Sequence, residues 1–335
     1  SSGSNGDPKG VQLTQFNLES NVEAAAQVIQ CGPGDVMLGI LPFFHSFGYM
    51  ATLWLPVHNG LGVVYHTNPM DAGDVGGLVQ SYKATILIAT PTLLQLYARR
   101  CEPRQFGSLR LVIGGAEKLP AALAQMFEDT FGLPVYEGYG ATEASPGIAL
   151  NLPGYRATGY YQPGARRGTV GQPLPGVSVR IRDSESGQLL KPGESGMILV
   201  NGPNIMAGYL KRPDLTEKAM DGAWYVTGDI GMVDEDGFLT ITDRLARFSK
   251  IGGEMVPHGV IEEKLHEAII QEEKVFAVTS VPDTRRGERI VVLHTIDSEE
   301  LPGVLECLKT MGLPNLFIPK KDDFIEVDKL PILGT

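Results

Sequence analysis

Apolar side chains between Leu18 and Ile29 recur every three or four positions, through Val22 and Ala25-Ala26, which predicts an amphipathic helix with Asn17 as its N-cap. The turn Gly32-Pro33-Gly34-Asp35 closes that segment, and a continuous apolar run at 36–41 follows as a short strand. The alternation then repeats. Helices are predicted over 48–58, 71–81, 91–100 and 119–131, and strands over 62–65, 85–88, 109–113 and 134–136. Strands that are apolar throughout, with a helix between each pair, predict an α/β fold built on a parallel sheet covered on both faces. In such folds ligands gather at the carboxyl ends of the strands.

Past Glu143 the pattern changes. Glycine and proline become frequent, and short β-patterned runs at 178–182, 197–200, 225–226 and 238–241 predict a small antiparallel or barrel-like subdomain. After Arg244 it changes again, to a helix over 260–270, strands over 275–281 and 289–296 and a helix over 299–311. The expected organisation is therefore a core over residues 1–244, α/β to about 145 and β-rich over 146–244, and a separate α+β domain over 245–335. A chain of 335 residues is long enough for both.

Charge narrows the function. A net charge of −11 argues against general nucleic-acid binding, which needs basic patches to neutralise phosphates. No apolar run has the length of a membrane span, and contact with the membrane is expected only indirectly, through other domains. Cys31, Cys101 and Cys307 are too scattered for a disulfide framework or a zinc site, so a reducing cytoplasm is expected.

The candidate chemistry begins at Ser1-Ser2-Gly3-Ser4-Asn5-Gly6-Asp7-Pro8-Lys9-Gly10, whose glycines and small hydroxyls let several backbone N–H groups cradle an anion, with Lys9 as a mobile positive charge. Pro8 and Gly10 flank the lysine where a P-loop needs glycine and a hydroxyl, so this is a different phosphate loop. It resembles the [ST]-S-G-[ST]-T-G-x-P-K-G signature of the adenylate-forming superfamily, with Asn5 at the usual threonine. Two later strings strengthen the resemblance. Glu137-Gly138-Tyr139-Gly140-Ala141-Thr142-Glu143 matches the G-Y-G-x-T-E signature, and Trp224-Tyr225-Val226-Thr227-Gly228-Asp229 supplies a carboxylate at a strand end.

The resemblance implies ATP and Mg²⁺ as cofactors. Ser2, Gly3, Ser4, Asn5, Gly6 and Lys9 would hold phosphates, and Gly114, Gly115, Ala116 and Glu117 would line the adenine pocket. Tyr139 would stack on adenine beside Gly140, Thr142 would hold a phosphate oxygen and Glu143 would ligate magnesium. Asp229 would bind the ribose with Arg244 as its neighbour. Phe44 and His45, in Pro42-Phe43-Phe44-His45, together with Gly138 would shape the acyl pocket. Lys250 and Gly253 fit a K-x-x-G loop that serves thioester formation, and Ala246 stands where the family hinge commonly has a charge. Lys9, Thr142, Glu143 and Lys250 are the expected catalytic residues.

Carboxylate attack on the α-phosphorus would release pyrophosphate and leave an acyl-adenylate, from which a thiol displaces AMP. The string Arg247-Phe248-Ser249-Lys250-Ile251-Gly252-Gly253-Glu254-Met255-Val256, with 202–210 and 312–316, is similar to the acyl-acyl carrier protein synthetase domain of bacterial 2-acylglycerophosphoethanolamine acyltransferases. That implies a fatty acid, acyl carrier protein as thiol donor and an acyltransferase domain or partner. Arg285, Arg286, Arg289, Lys320 and Lys321 are candidates for docking an acidic carrier. Coenzyme A as donor, another acid as substrate, and a nucleotide-binding module without turnover stay open. The family continues past the position of Thr335 into a lysine that contacts the reacting carboxylate, and a strand precedes its phosphate loop, so impaired adenylation is expected of the polypeptide as given.

Overall fold

The computed structural model describes residues 8–252, 254–269, 274–283, 285–297 and 299–331. The chain forms two compact units, one of residues 1–227 and 232–241, the other of 228–231 and 242–335. The expected division at 244/245 lies three residues beyond the one observed, and Gly228–Gly231 count with the second unit.

The first unit is built on a seven-stranded sheet in the order Gln172–Pro173, Gly147–Leu150, Val135–Gly140, Leu111–Gly114, Ile86–Ala89, Val36–Gly39, Gly62–Tyr65. The five strands from Val135–Gly140 to Gly62–Tyr65 are parallel, and Gly147–Leu150 turns back antiparallel. Ile86–Ala89 and Leu111–Gly114 are buried at every residue, as their unbroken apolar sequences require. Each fully buried Leu or Ile there contributes about 1.5–3 kcal/mol. Arg110 clamps Asp35 with two bonds of 2.7 and 2.8 Å, and its guanidinium, against the opposing effect of burial, holds the Asp35 carboxyl at about 2.

Two predicted helices differ in detail. The first runs Gln15–Ile29, and its N-cap is Thr14, not Asn17. Asn17 sits at the third helical position, where its Oδ1 accepts from Thr14 N at 2.9 Å while its own N–H donates to Thr14 Oγ1 at 3.1 Å, a reciprocal capping box. The helix expected over 48–58 is broken into Ser46–Gly48, a π-helical stretch Tyr49–Trp54 and Leu55–Asn59. Pro56 explains part of this, because it has no N–H for the Thr52 carbonyl four residues back. The Tyr65 hydroxyl donates to that carbonyl instead, at 2.8 Å.

The β-rich part has the expected antiparallel character, with Ser178–Arg182, Gly196–Asn201, Trp224–Val233 and Met220–Asp221 as successive neighbours. Val11–Gln12, just past the phosphate loop, pairs with Gly208–Tyr209. In the second unit the strands Glu254–Pro257, Phe248–Ile251, Gly287–His294 and Phe276–Asp283 form an antiparallel sheet, joined by Phe324–Glu326, and helices His258–Glu267 and Leu301–Thr310 pack with it around Val256, Ile261, Leu265, Val292 and Leu308. No helix among the described residues is long and apolar enough to cross a membrane.

Candidate functional site

In the first unit the motif residues meet where the parallel strands end. The segment after Val36–Gly39 carries His45, whose Nδ1 accepts from Phe47 N at 3.2 Å and caps the short helix Ser46–Gly48. An accepting nitrogen is unprotonated, and partial burial of the ring keeps the imidazole below its ordinary pKa. The next two side chains reach neighbouring motifs. Ser46 Oγ lies 3.2 Å from Thr142 Oγ1, and the Phe47 ring lies so close to Gly115 that a Cβ there would be 3.0 Å from it. Phe44, expected in the acyl pocket, is 93% exposed.

Leu111–Gly114 delivers Gly114-Gly115-Ala116-Glu117, in which Ala116 is left-handed at φ 70°, a conformation that disfavours any side chain. Glu117 fixes the loop by accepting from Thr92 Oγ1 at 2.7 Å and from Thr92 N at 3.2 Å. Val135–Gly140 extends past the expected 134–136 and carries the half-buried Tyr139. Glu137 on the same strand accepts from Leu119 N at 3.1 Å, but burial outweighs that bond and lifts its carboxyl to about 6. Gly138 packs against Leu150, and Gly140 lies against the Pro146 carbonyl with no room for a Cβ.

Glu143 follows in the short 3₁₀ turn Thr142–Ala144 and is only 6% exposed. The segment 202–210 holds this turn. Met206 N donates to the Glu143 carbonyl at 2.9 Å, Asn204 Nδ2 donates to the Ala144 carbonyl at 2.8 Å, and Ser145 Oγ returns a bond to the Asn204 carbonyl at 2.8 Å. The Tyr209 hydroxyl donates to Glu143 Oε1 at 2.9 Å. Tyr225 in turn bonds the Tyr209 hydroxyl, and burial first, with Glu143 second, raises the Tyr209 phenol well above the ordinary tyrosine range. Lys9, at the end of the expected phosphate loop, reaches the same tyrosine, its Nζ 5.1 Å from the ring centre. Ser2, Gly3, Ser4, Asn5 and Gly6 lie outside the described residues.

Asp229, Arg244 and Lys250 belong to the second unit. The buried Asp229 pairs with Arg244 at 3.2 Å. Beside that pair Asp243 accepts from Gly259 N at 2.7 Å, and Arg247 joins Glu262 at 2.5 Å and Asp243 at 3.8 Å. Ser249 Oγ and His258 Nε2, both buried, are 2.5 Å apart. Lys250 is exposed, its N–H bonded to Glu288, and Gly253 lies outside the described residues.

The family model for AMP-binding enzymes matches residues 1–210. The chain belongs to that family. It is 34% identical over 310 residues to a long-chain-fatty-acid–CoA ligase of Bacillus subtilis, covering 89% of this chain and 53% of the relative. A 2-succinylbenzoate–CoA ligase of Geobacillus is 36% identical over 290 residues, covering 86% and 56%. Among solved structures, ATP-bound MatB from Rhodopseudomonas palustris superposes with a TM-score of 0.86 at 30% identity, over 99% of this chain and 64% of that one. The chain thus spans between about half and two thirds of the length of these relatives. Tyr209, Tyr225, Ser46 and Phe47 lie in contact with the motif residues or with one another, although no motif singled them out as site residues. The one sequence signal for Tyr209 is its place after Gly208, in the loop string 202–210.

Proposed function

We propose that the protein activates a carboxylic acid with ATP, forming an acyl-adenylate and pyrophosphate, and passes the acyl group to a thiol. The observation that carries this reading is the meeting of Lys9, Tyr209, Glu143, Thr142 and Ser46 at the ends of the parallel strands. A cation and a buried carboxylate on either side of one tyrosine suit a triphosphate with its metal.

Magnesium fits the donor set. The buried carboxylate of Glu143 is a hard oxygen donor of the kind that binds an ion shared with substrate phosphates. Tyr209 takes one of about four acceptor positions of Glu143, so capacity for a metal remains. When bound, Mg²⁺ would neutralise charge developing on the phosphates. Lys9 would hold the departing phosphates, Tyr139 the adenine and Thr142 a phosphate oxygen. Asp229 with Arg244 would hold the ribose, Lys250 would serve the thiol step, and His45, Phe47 and Gly138 would shape the acid's pocket.

A fatty acid with coenzyme A is the favoured pair, supported by the activities named for the relatives. Acyl carrier protein is the second reading. In its favour Arg285 and Arg286 stand exposed in a turn braced on Asp283, although Arg289 is taken up by Asp323. The test supplies ATP, Mg²⁺ and a long-chain fatty acid, then coenzyme A or acyl carrier protein in separate reactions, and weighs the thioester by mass spectrometry. Acyl-CoA alone is expected. Acyl carrier protein charged alone would replace the donor, and absence of any acyl-adenylate with a panel of acids would overturn the reading.

A further inference from the structure

Tyr209 is assigned no role by the motifs, yet it touches both charged groups of the site. Its hydroxyl donates to Glu143 Oε1 at 2.9 Å, and its ring carries Lys9 at 5.1 Å. Both acid and phenol are buried, and Tyr225, also buried, donates to the same hydroxyl. The order is therefore Tyr225 to Tyr209 to Glu143, a chain of neutral donors ending on a carboxylate.

Such an arrangement orients without neutralising. A lysine or arginine on Glu143 would cancel the charge that a divalent cation needs, whereas a hydroxyl fixes one oxygen and leaves the net charge in place. The same residue is anchored from behind. Gly208–Tyr209 pairs with Val11–Gln12, Leu210 N donates to the Gly10 carbonyl at 2.7 Å and Tyr209 N–H donates to Thr216 Oγ1 at 2.9 Å. A short strand pair thus ties the segment just after Lys9 to the carboxylate's tyrosine partner.

We propose that Tyr209 is a positioning residue that sets Glu143 for a metal–nucleotide complex through its hydroxyl, and Lys9 for the phosphates through its ring. This rests on the adenylate-forming reading above. Two consequences separate the hydroxyl from the ring. Tyr209→Phe removes the bond to Glu143 and keeps the platform under Lys9, so it weakens the metal-dependent part of binding alone. Tyr209→Leu removes both.

The experiment is calorimetric titration of the protein with ATP, once with Mg²⁺ and once with a chelator, for the parent and both variants, with circular dichroism confirming that each is folded. For Tyr209→Phe the Kd of Mg·ATP is expected to rise about tenfold while the Kd of metal-free ATP moves less than twofold. Tyr209→Leu is expected to raise both. Equal weakening in the two conditions for Tyr209→Phe, or no weakening, overturns the assignment. A second arm uses Tyr225→Phe, which keeps the Tyr209 hydroxyl and is expected to give a smaller shift of the same metal-dependent kind; a larger one would also overturn it. A parent protein that binds ATP in neither condition removes the adenylating reading itself, and the proposal with it.

Discussion

In the first unit the buried Glu143 is met by hydroxyls, Tyr209 directly and Tyr225 behind it, whereas in the second Asp243 and Glu262 are met by the Arg247 guanidinium and by backbone N–H groups of Gly259 and Val278. Neutral donors hold a carboxylate in place and leave its charge for an incoming cation. A guanidinium cancels the charge where it stands. The first arrangement suits a ligand site and the second suits a structural tie, although both lie close to motif residues in sequence.

The largest expected effects would break this distinction if they failed. Glu143→Gln keeps an acceptor for Tyr209 but loses the charge, so adenylation is expected to fall by about 10²-fold or more while the melting temperature of the first unit hardly changes. Pyrophosphate exchange and calorimetry check the two halves. Arg247→Ala should do the reverse. It leaves Asp243 and Glu262 without their cation, and because the pair is partly exposed the loss is below that of a fully buried one, about 1–2 kcal/mol, confined to the second unit. Hydrogen exchange resolved by peptide would show faster opening over 254–269 and none over the parallel sheet. Opening of both units together would end the comparison.

A pH series sharpens it. Glu137 has its carboxyl raised from 4.5 to about 6 by burial, so the folded first unit binds the proton more tightly than the unfolded chain does. Its contribution is greatest below about pH 4.5 and is lost as pH rises through 6, a difference of about 2 kcal/mol. His258 runs the other way. Burial, and next the charge of Arg247, lower its pKa, so the folded second unit favours the neutral ring. That stability is present above the ordinary histidine value and is lost as pH falls. Between about pH 5 and 6 the Glu137 and His258 contributions should therefore change in opposite directions, while His45, also lowered by burial, acts in the first unit in the same sense as His258. Exchange rates corrected for intrinsic pH dependence would test this, and Glu137→Gln and His258→Asn should each flatten one slope only.

Much of this was legible in the chain. Continuous apolar runs such as Ile86-Leu87-Ile88-Ala89 announced buried parallel strands, because a strand covered on both faces has no polar side to alternate with. The loop ending at Lys9 and the strings around Tyr139 and Asp229 pointed to the AMP-binding family to which the chain belongs. Tyr209 was not legible, since its bond to Glu143 spans 66 residues and nothing local distinguishes a tyrosine that donates to a carboxylate from one that packs. The N-cap was displaced because Thr14 and Asn17 are both capping residues, and the reciprocal bond favours the one three positions earlier. Strand Val135–Gly140 reads short in sequence because Gly-Tyr-Gly has the composition of a turn; its glycines serve close packing against Leu150 and Pro146 instead.

The smallest predicted effect concerns the broken helix next to His45. Tyr65→Phe deletes the hydroxyl that serves the Thr52 carbonyl, and an intramolecular hydrogen bond of this kind contributes about 1 kcal/mol. The loss should appear as a modest drop in the first unit's melting temperature. If Pro56 is the reason that carbonyl needs a partner from elsewhere, then Pro56→Ala restores an N–H four residues on and makes the hydroxyl dispensable. The cost of Tyr65→Phe should then be smaller in the Pro56→Ala background than in the parent, a coupling that a double-mutant cycle measures directly. Additive effects would mean that the π-helical stretch Tyr49–Trp54 is imposed by packing around Met50 and Ala51 rather than by the missing donor.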